Sequence, residues 1–120
     1  MTGWKVINYN LINDVDQDKV QALAQSIHKH GWIGCPILVN GDELLTGSHR
    51  VAALRMIAEE YDDISILDQE VAEDVSELVE AAFQKFEHEN GYLPDLDYSD
   101  IGWIFQGTWV ERYKSEIEEW

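Results

Sequence analysis

The chain has 120 residues, 45% of them hydrophobic, with 24 acids against 8 Lys plus Arg for a net charge of −16, and a single cysteine, Cys35. That is the size of one ordinary domain, too short of apolar runs for a membrane span of roughly 20 residues and unable to form an internal disulfide. The acidity also argues against unaided binding to duplex DNA, whose affinity rests on neutralising phosphates with Lys and Arg.

WKVINYNLI, residues 4–12, alternates β-branched and aromatic residues with polar ones and predicts a first strand. Asp14 and Gln17 have the spacing of a capping box, and Val20, Leu23, Ala24 and Ile27 then recur at helical spacing up to Gly31, which fits the position just past a helix end. PILVN and ELLTG are short apolar runs on either side of Asn40-Gly41-Asp42, a hairpin signal. Ser48 to about Glu60 predicts a helix with Val51, Leu54, Ile57 and Ala58 on one face. Ile64 to Val71 suits a short strand, and Ala72 to about Glu89 a helix with a stripe of Val75, Leu78, Val79, Ala82, Phe83 and Phe86. Residues 91–106 hold Gly and Pro and read as a loop. Thr108 and Glu111 form a second capping box, opening a last helix with Trp109, Val110, Tyr113 and Ile117 inward. The expected fold is α+β, a small mixed sheet surrounded by helices. It is one domain over residues 1–120, with a core at 1–70 and an acidic helical extension at 71–120. The first residues lack a basic segment followed by an apolar one, so no secretory leader is expected and the chain reads as cytoplasmic.

Chemistry concentrates at Leu44-Leu45-Thr46-Gly47-Ser48-His49-Arg50. A helix N-terminus presents unpaired N–H groups and a partial positive charge, and a glycine there allows close approach to the backbone. Ser48 adds a hydroxyl and His49 an imidazole, and Arg50 adds a fork of donors matched to phosphate oxygens. Together they form a plausible phosphate site. The structural alternative is that Ser48 is a helix cap and Arg50 pairs with a nearby acid.

Residues 4–58 resemble the ParB N-terminal/sulfiredoxin superfamily. The likeness rests on a first strand, the helix QALAQSIHKHGW, then GCPILVN, then ELLTGSHRVAALRMI with its G-x-x-R opening a helix. In that superfamily this turn binds nucleotide phosphates. The resemblance therefore implies that Thr46, Gly47, Ser48, His49 and Arg50 cradle the phosphates of ATP or CTP with magnesium, and that Pro36 to Val39 help wall the site. It admits ATP hydrolysis or phosphoryl transfer, with His49 or Glu43 as proton acceptor and Glu43 or another acid toward magnesium. Some functions of the superfamily are not carried over. Sulfiredoxins place a catalytic cysteine where Ser48 stands, and a hydroxyl cannot do thiolate chemistry. The related free-serine kinases usually carry Asp where Thr46 stands. The second acidic-Asn-Arg motif and the helix-turn-helix of partitioning ParB proteins are not found, and the likeness ends near residue 60.

Other groups carry less. Cys35, between Gly34 and Pro36, reads as a buried, inert thiol near the turn rather than a redox centre. His28, His30, Cys35 and His49 match no zinc spacing, so no metal site is expected. Asp95, Asp97 and Ser99 echo a calcium loop, but its sixth position is Asp100 and its twelfth Gln106. The aromatic group Tyr92, Tyr98, Trp103, Phe105, Trp109 and Tyr113 reads mostly as core, with part of it available as a recognition patch. Charge is strongly lopsided: residues 1–58 are neutral, and all 16 excess negative charges fall in residues 59–120. Solvation of helix exteriors is the ordinary reason for such acids. The alternative function is non-enzymatic: an acidic interaction protein, or nucleic-acid mimic, docking on a basic surface of a nucleic-acid enzyme in the manner of phage or mobile-element inhibitors.

Overall fold

The computed structural model describes residues 1–12, 14–92 and 103–113. The described elements are α1 (Gly3–Val6), α2 (Gln17–His30), β1 (Ile37–Asn40), β2 (Glu43–Leu44), α3 (Ser48–Glu60), β3 (Ala72–Asp74) and α4 (Ser76–Asn90), with 3-10 turns at Ser65–Asp68 and Trp109–Tyr113. This is a small α+β domain around a three-stranded mixed sheet of order β2-β1-β3. Strand β1 pairs antiparallel with β2, Val39 opposite Leu44 and Asn40 opposite Glu43. It pairs parallel with β3, Ile37 opposite Ala72 and Val39 opposite Asp74.

The central strand is apolar on both faces because both are covered. Ile37 and Val39, with Leu44 and Ala72, belong to a core cluster built with Val20, Ala24 and Ile27 of α2 and Val51, Leu54 and Ile57 of α3. Leu38, one residue out of phase, belongs to a second cluster with Cys35, Leu45, Val75, Val79, Ile104, Phe105 and Val110. Residues beyond 70 thus supply the third strand and the cover of one sheet face, and packing continues across the expected boundary between core and extension.

Several predicted elements change. The first strand is instead the helical turn α1. Gly3 lies so close to the 65–68 turn that a Cβ would stand 2.9 Å from Leu67 Cα. Trp4 Nε1 donates to Asp68 at 2.9 Å, and Val6 alone among the side chains of α1 is buried in the core. Tertiary docking here overrides β-propensity. The segment 64–71 instead holds the 3-10 turn Ser65–Asp68, which buries Ile66 and Leu67, and the strand begins after it, at Ala72. The helix expected from Ala72 therefore starts at Ser76. Helix α2 is capped by Asp16 rather than Asp14, its carboxylate accepting from Asp18 N at 2.9 Å and Lys19 N at 3.4 Å. The second capping box forms in part. Thr108 Oγ1 accepts from Val110 N at 3.3 Å, and Glu111 accepts from Gly107 N at 3.0 Å. It opens a 3-10 turn that buries Val110 and leaves Trp109 39% exposed, against the inward position expected of it. Tyr98, Ile117 and the Asp95–Ser99 echo of a calcium loop lie outside the described residues.

Asp74 ties hairpin, strand and helix together. One carboxylate oxygen accepts from Ser76 N at 3.0 Å, opening α4, and from Gly41 N at 3.3 Å, at the β1–β2 turn. The Ser76 amide above all, then the Gly41 amide, hold this carboxyl below its usual range against the opposing effect of desolvation. A depressed carboxyl contributes stability above its unfolded value, near 3.9, and loses that contribution as pH falls through the lower folded value. Thermal unfolding is thus expected to show an acid loss beginning below about pH 4. Asp74→Asn should flatten that limb and converge on the parent at the lowest pH, as followed by circular dichroism.

Candidate functional site

The β2–α3 turn forms because Gly47 adopts the left-handed region, φ +92°, turning the chain into α3 three residues after β2 ends. Its carbonyl accepts from Val51 N at 2.8 Å, the first helical bond. Below it lies Ile37, whose Cγ1 would stand 3.1 Å from a Cβ at this position.

The hydroxyls flanking Gly47 serve the fold. Thr46 is 5% exposed, and its Oγ1 accepts from Leu38 N at 3.3 Å. Ser48 is 1% exposed, and its Oγ accepts from Ile12 N at 3.3 Å. His49 Nε2 accepts from Asp16 N at 3.1 Å. A strap of Leu11, Ile12 and residues 14–16 is thereby tied to the N-terminus of α3 by two bonds. The strap lines a cleft of about 520 Å³ through Leu11, Ile12, Asp14 and Val15.

Arg50 reaches toward the loop that leads from α2 to β1. Its guanidinium donates to the Cys35 carbonyl, and to the Ile33 carbonyl at 2.9 Å, and lies 4.5 Å from the centre of the Trp32 ring. Two carbonyls and a ring are thus among its partners. Cys35 is buried, with its Sγ 3.3 Å from the Pro36 carbonyl, so the thiol lies in the core beside the turn's arginine partner. Pro36 follows directly and leads into β1. Glu43 is exposed at the hairpin end of β2, opposite Asn40.

The structure therefore gathers Thr46, Gly47, Ser48, His49, Arg50 and Pro36 around one turn, with Glu43 at the other end of a two-residue strand. Sequence reasoning missed the partners: Ile12 and Asp16 on the strap, Trp32 against Arg50, and Arg55. Arg55 donates from Nε to the Ile7 carbonyl at 2.7 Å and from Nη2 to the Tyr9 carbonyl, anchoring the segment that leads into the strap. The one available signal was Trp32 beside Gly31, which marks an aromatic at a helix end but not its cation. Among the described residues, no three His, Cys, Asp or Glu side chains are grouped to hold a metal ion. No described helix is long and apolar enough to cross a membrane. Comparison with protein-family models, curated proteins and solved structures gives no match.

Proposed function

We propose that the protein is a ParB/sulfiredoxin-like module that binds the phosphates of a magnesium nucleotide, ATP or CTP, at the N-terminus of α3. The observation that carries this reading is the left-handed Gly47, which opens α3 beside a strap that is bonded to Ser48 and His49 and lines a cleft of its own. The backbone of residues 47–50 offers helix N-terminal amides there, a ready anion site. With Nε2 accepting from the strap, His49 acts as a base only if that bond is released. Arg50 shares its guanidinium between the phosphate and the Ile33 and Cys35 carbonyls, so binding steadies the α2–β1 loop. Asp14 on the cleft wall disfavours a bare polyphosphate and suits one carrying magnesium, so it joins Glu43 as a candidate protein-side acid. The setting we propose is the cytoplasm, and turnover, as hydrolysis or phosphoryl transfer, would follow from binding.

The test is thermal unfolding of the full chain with ATP, CTP, GTP or UTP at millimolar concentration, each with magnesium, on the parent, His49→Ala and Arg50→Ala. Arg50→Ala starts from a lower Tm because two carbonyls lose their donor, so the quantity read is the ligand-induced shift. A nucleotide at 100 times its dissociation constant is expected to add about 2.7 kcal/mol to the parent. The shift should be lost in Arg50→Ala and reduced in His49→Ala. The absence of a shift in the parent with all four nucleotides would make the turn a helix start and nothing more.

A further inference from the structure

The C-terminal half of α4 ends in an aromatic ledge. Phe83 stacks on Trp103, with ring centroids 5.8 Å apart and planes at 13°. Phe86 leans on the same indole at 5.5 Å and meets Tyr92 edge-on at 5.5 Å and 81°. The inner rings continue the second core cluster. The outer one does not: Tyr92 is 62% exposed and held against Phe86 just past the end of the helix. Helical geometry puts Glu80 and Glu87 along one flank of the Phe83–Phe86 stripe and Glu89 along the other, all exposed. Every described acid from Glu59 to Glu89 is exposed, and Lys85 is the single Lys or Arg between residues 59 and 92. A flat, partly open aromatic ringed by carboxylates repels nucleic acid and anionic lipid. It has the anatomy of a binding hot spot, an aromatic anchor with a polar rim.

We infer that this ledge docks a cationic protein segment, one that places an aliphatic or aromatic side chain on Tyr92 and Phe86 and flanking Lys or Arg on Glu80, Glu87 and Glu89. Charge complementarity selects the partner class, and the ring selects among cationic segments. The surface shares no residue with the turn at 46–50, and docking there is expected without nucleotide.

The experiment titrates the full chain by calorimetry with two probes of equal charge, an amphipathic lysine–leucine helix peptide and an oligolysine. The parent is expected to bind the amphipathic peptide about tenfold more tightly than oligolysine, the usual size of one aromatic anchor. Tyr92→Ala should remove that preference without changing oligolysine binding, and Tyr92→Phe should keep it. Glu80→Gln with Glu87→Gln should weaken both probes and flatten their salt dependence. Equal affinity for the two probes in the parent, or an unchanged preference in Tyr92→Ala, would overturn the inference. Because Tyr92 is largely exposed, Tm should be nearly unchanged in Tyr92→Ala; a folded variant that keeps the preference disproves the anchor.

Discussion

Leu38→Ala is expected to destabilise the protein by about 3 kcal/mol, lowering Tm by roughly 10 °C. Leu38 is fully buried on the central strand, on the face that meets Val75, Val79, Ile104, Phe105 and Val110. Truncating it leaves a void between the sheet and everything that follows β3. If residues beyond 70 were a loosely attached appendage, the surroundings would collapse into the void and the cost would fall below about 1 kcal/mol. Urea unfolding followed separately by far-ultraviolet circular dichroism and by tryptophan fluorescence checks both points. The two probes should move together to a lower midpoint in the variant, as expected of one cooperative unit.

Gly47→Val is expected to cost a comparable amount, about 3 kcal/mol, from two sources. A side chain in the left-handed region costs about 1–2 kcal/mol, and β-branching makes it worse. The new Cβ also presses on Ile37 Cγ1. Gly47→Ala carries the left-handed penalty and the same Cβ contact without β-branching or γ-methyl groups, and should fall at about half the loss. The difference between the two variants therefore measures what the two γ-methyl groups of valine add through β-branching and crowding. Chemical denaturation of all three proteins gives these values. The same pair bears on nucleotide binding. If the turn's backbone cradles phosphate, Gly47→Ala should weaken the ligand-induced shift by more than its lost stability accounts for, because the amides following Gly47 turn with it.

Legibility in the sequence followed the reach of the interactions involved. Helix α3 was readable to the residue because Val51, Leu54 and Ile57 repeat at a period that local geometry alone can satisfy. The hairpin was readable because Asn40-Gly41-Asp42 encodes its own turn. Residues 4–12 were misread because what shapes them is distant: Leu67 beneath Gly3, Asp68 on the Trp4 indole, and Arg55 on the carbonyls of Ile7 and Tyr9. Nothing within WKVINYNLI announces those partners. The same limit applied at the candidate site. The residues of the turn could be named, since their types and order are a local matter. Their commitments could not, because Ser48 and His49 are engaged by a strap that comes from more than thirty residues away. The choice between Asp14 and Asp16 as cap of α2 was equally invisible, both being aspartates with a polar residue three positions later.

The parallel pairing of β1 with β3 has a consequence for how the chain becomes folded. The hairpin and α3 can form from neighbouring residues, but the central strand must wait for a partner that lies beyond the whole of α3 and the 65–68 turn. Even then, Leu38 and Leu45 stay bare until α4 and residues 104–110 arrive to cover them. Pairings so separated in sequence close slowly because the entropy of the intervening loop must be overcome first. During synthesis, the ribosome therefore releases an apolar sheet face well before it releases the cover for that face. In that interval, the nascent chain is most exposed to association with its neighbours.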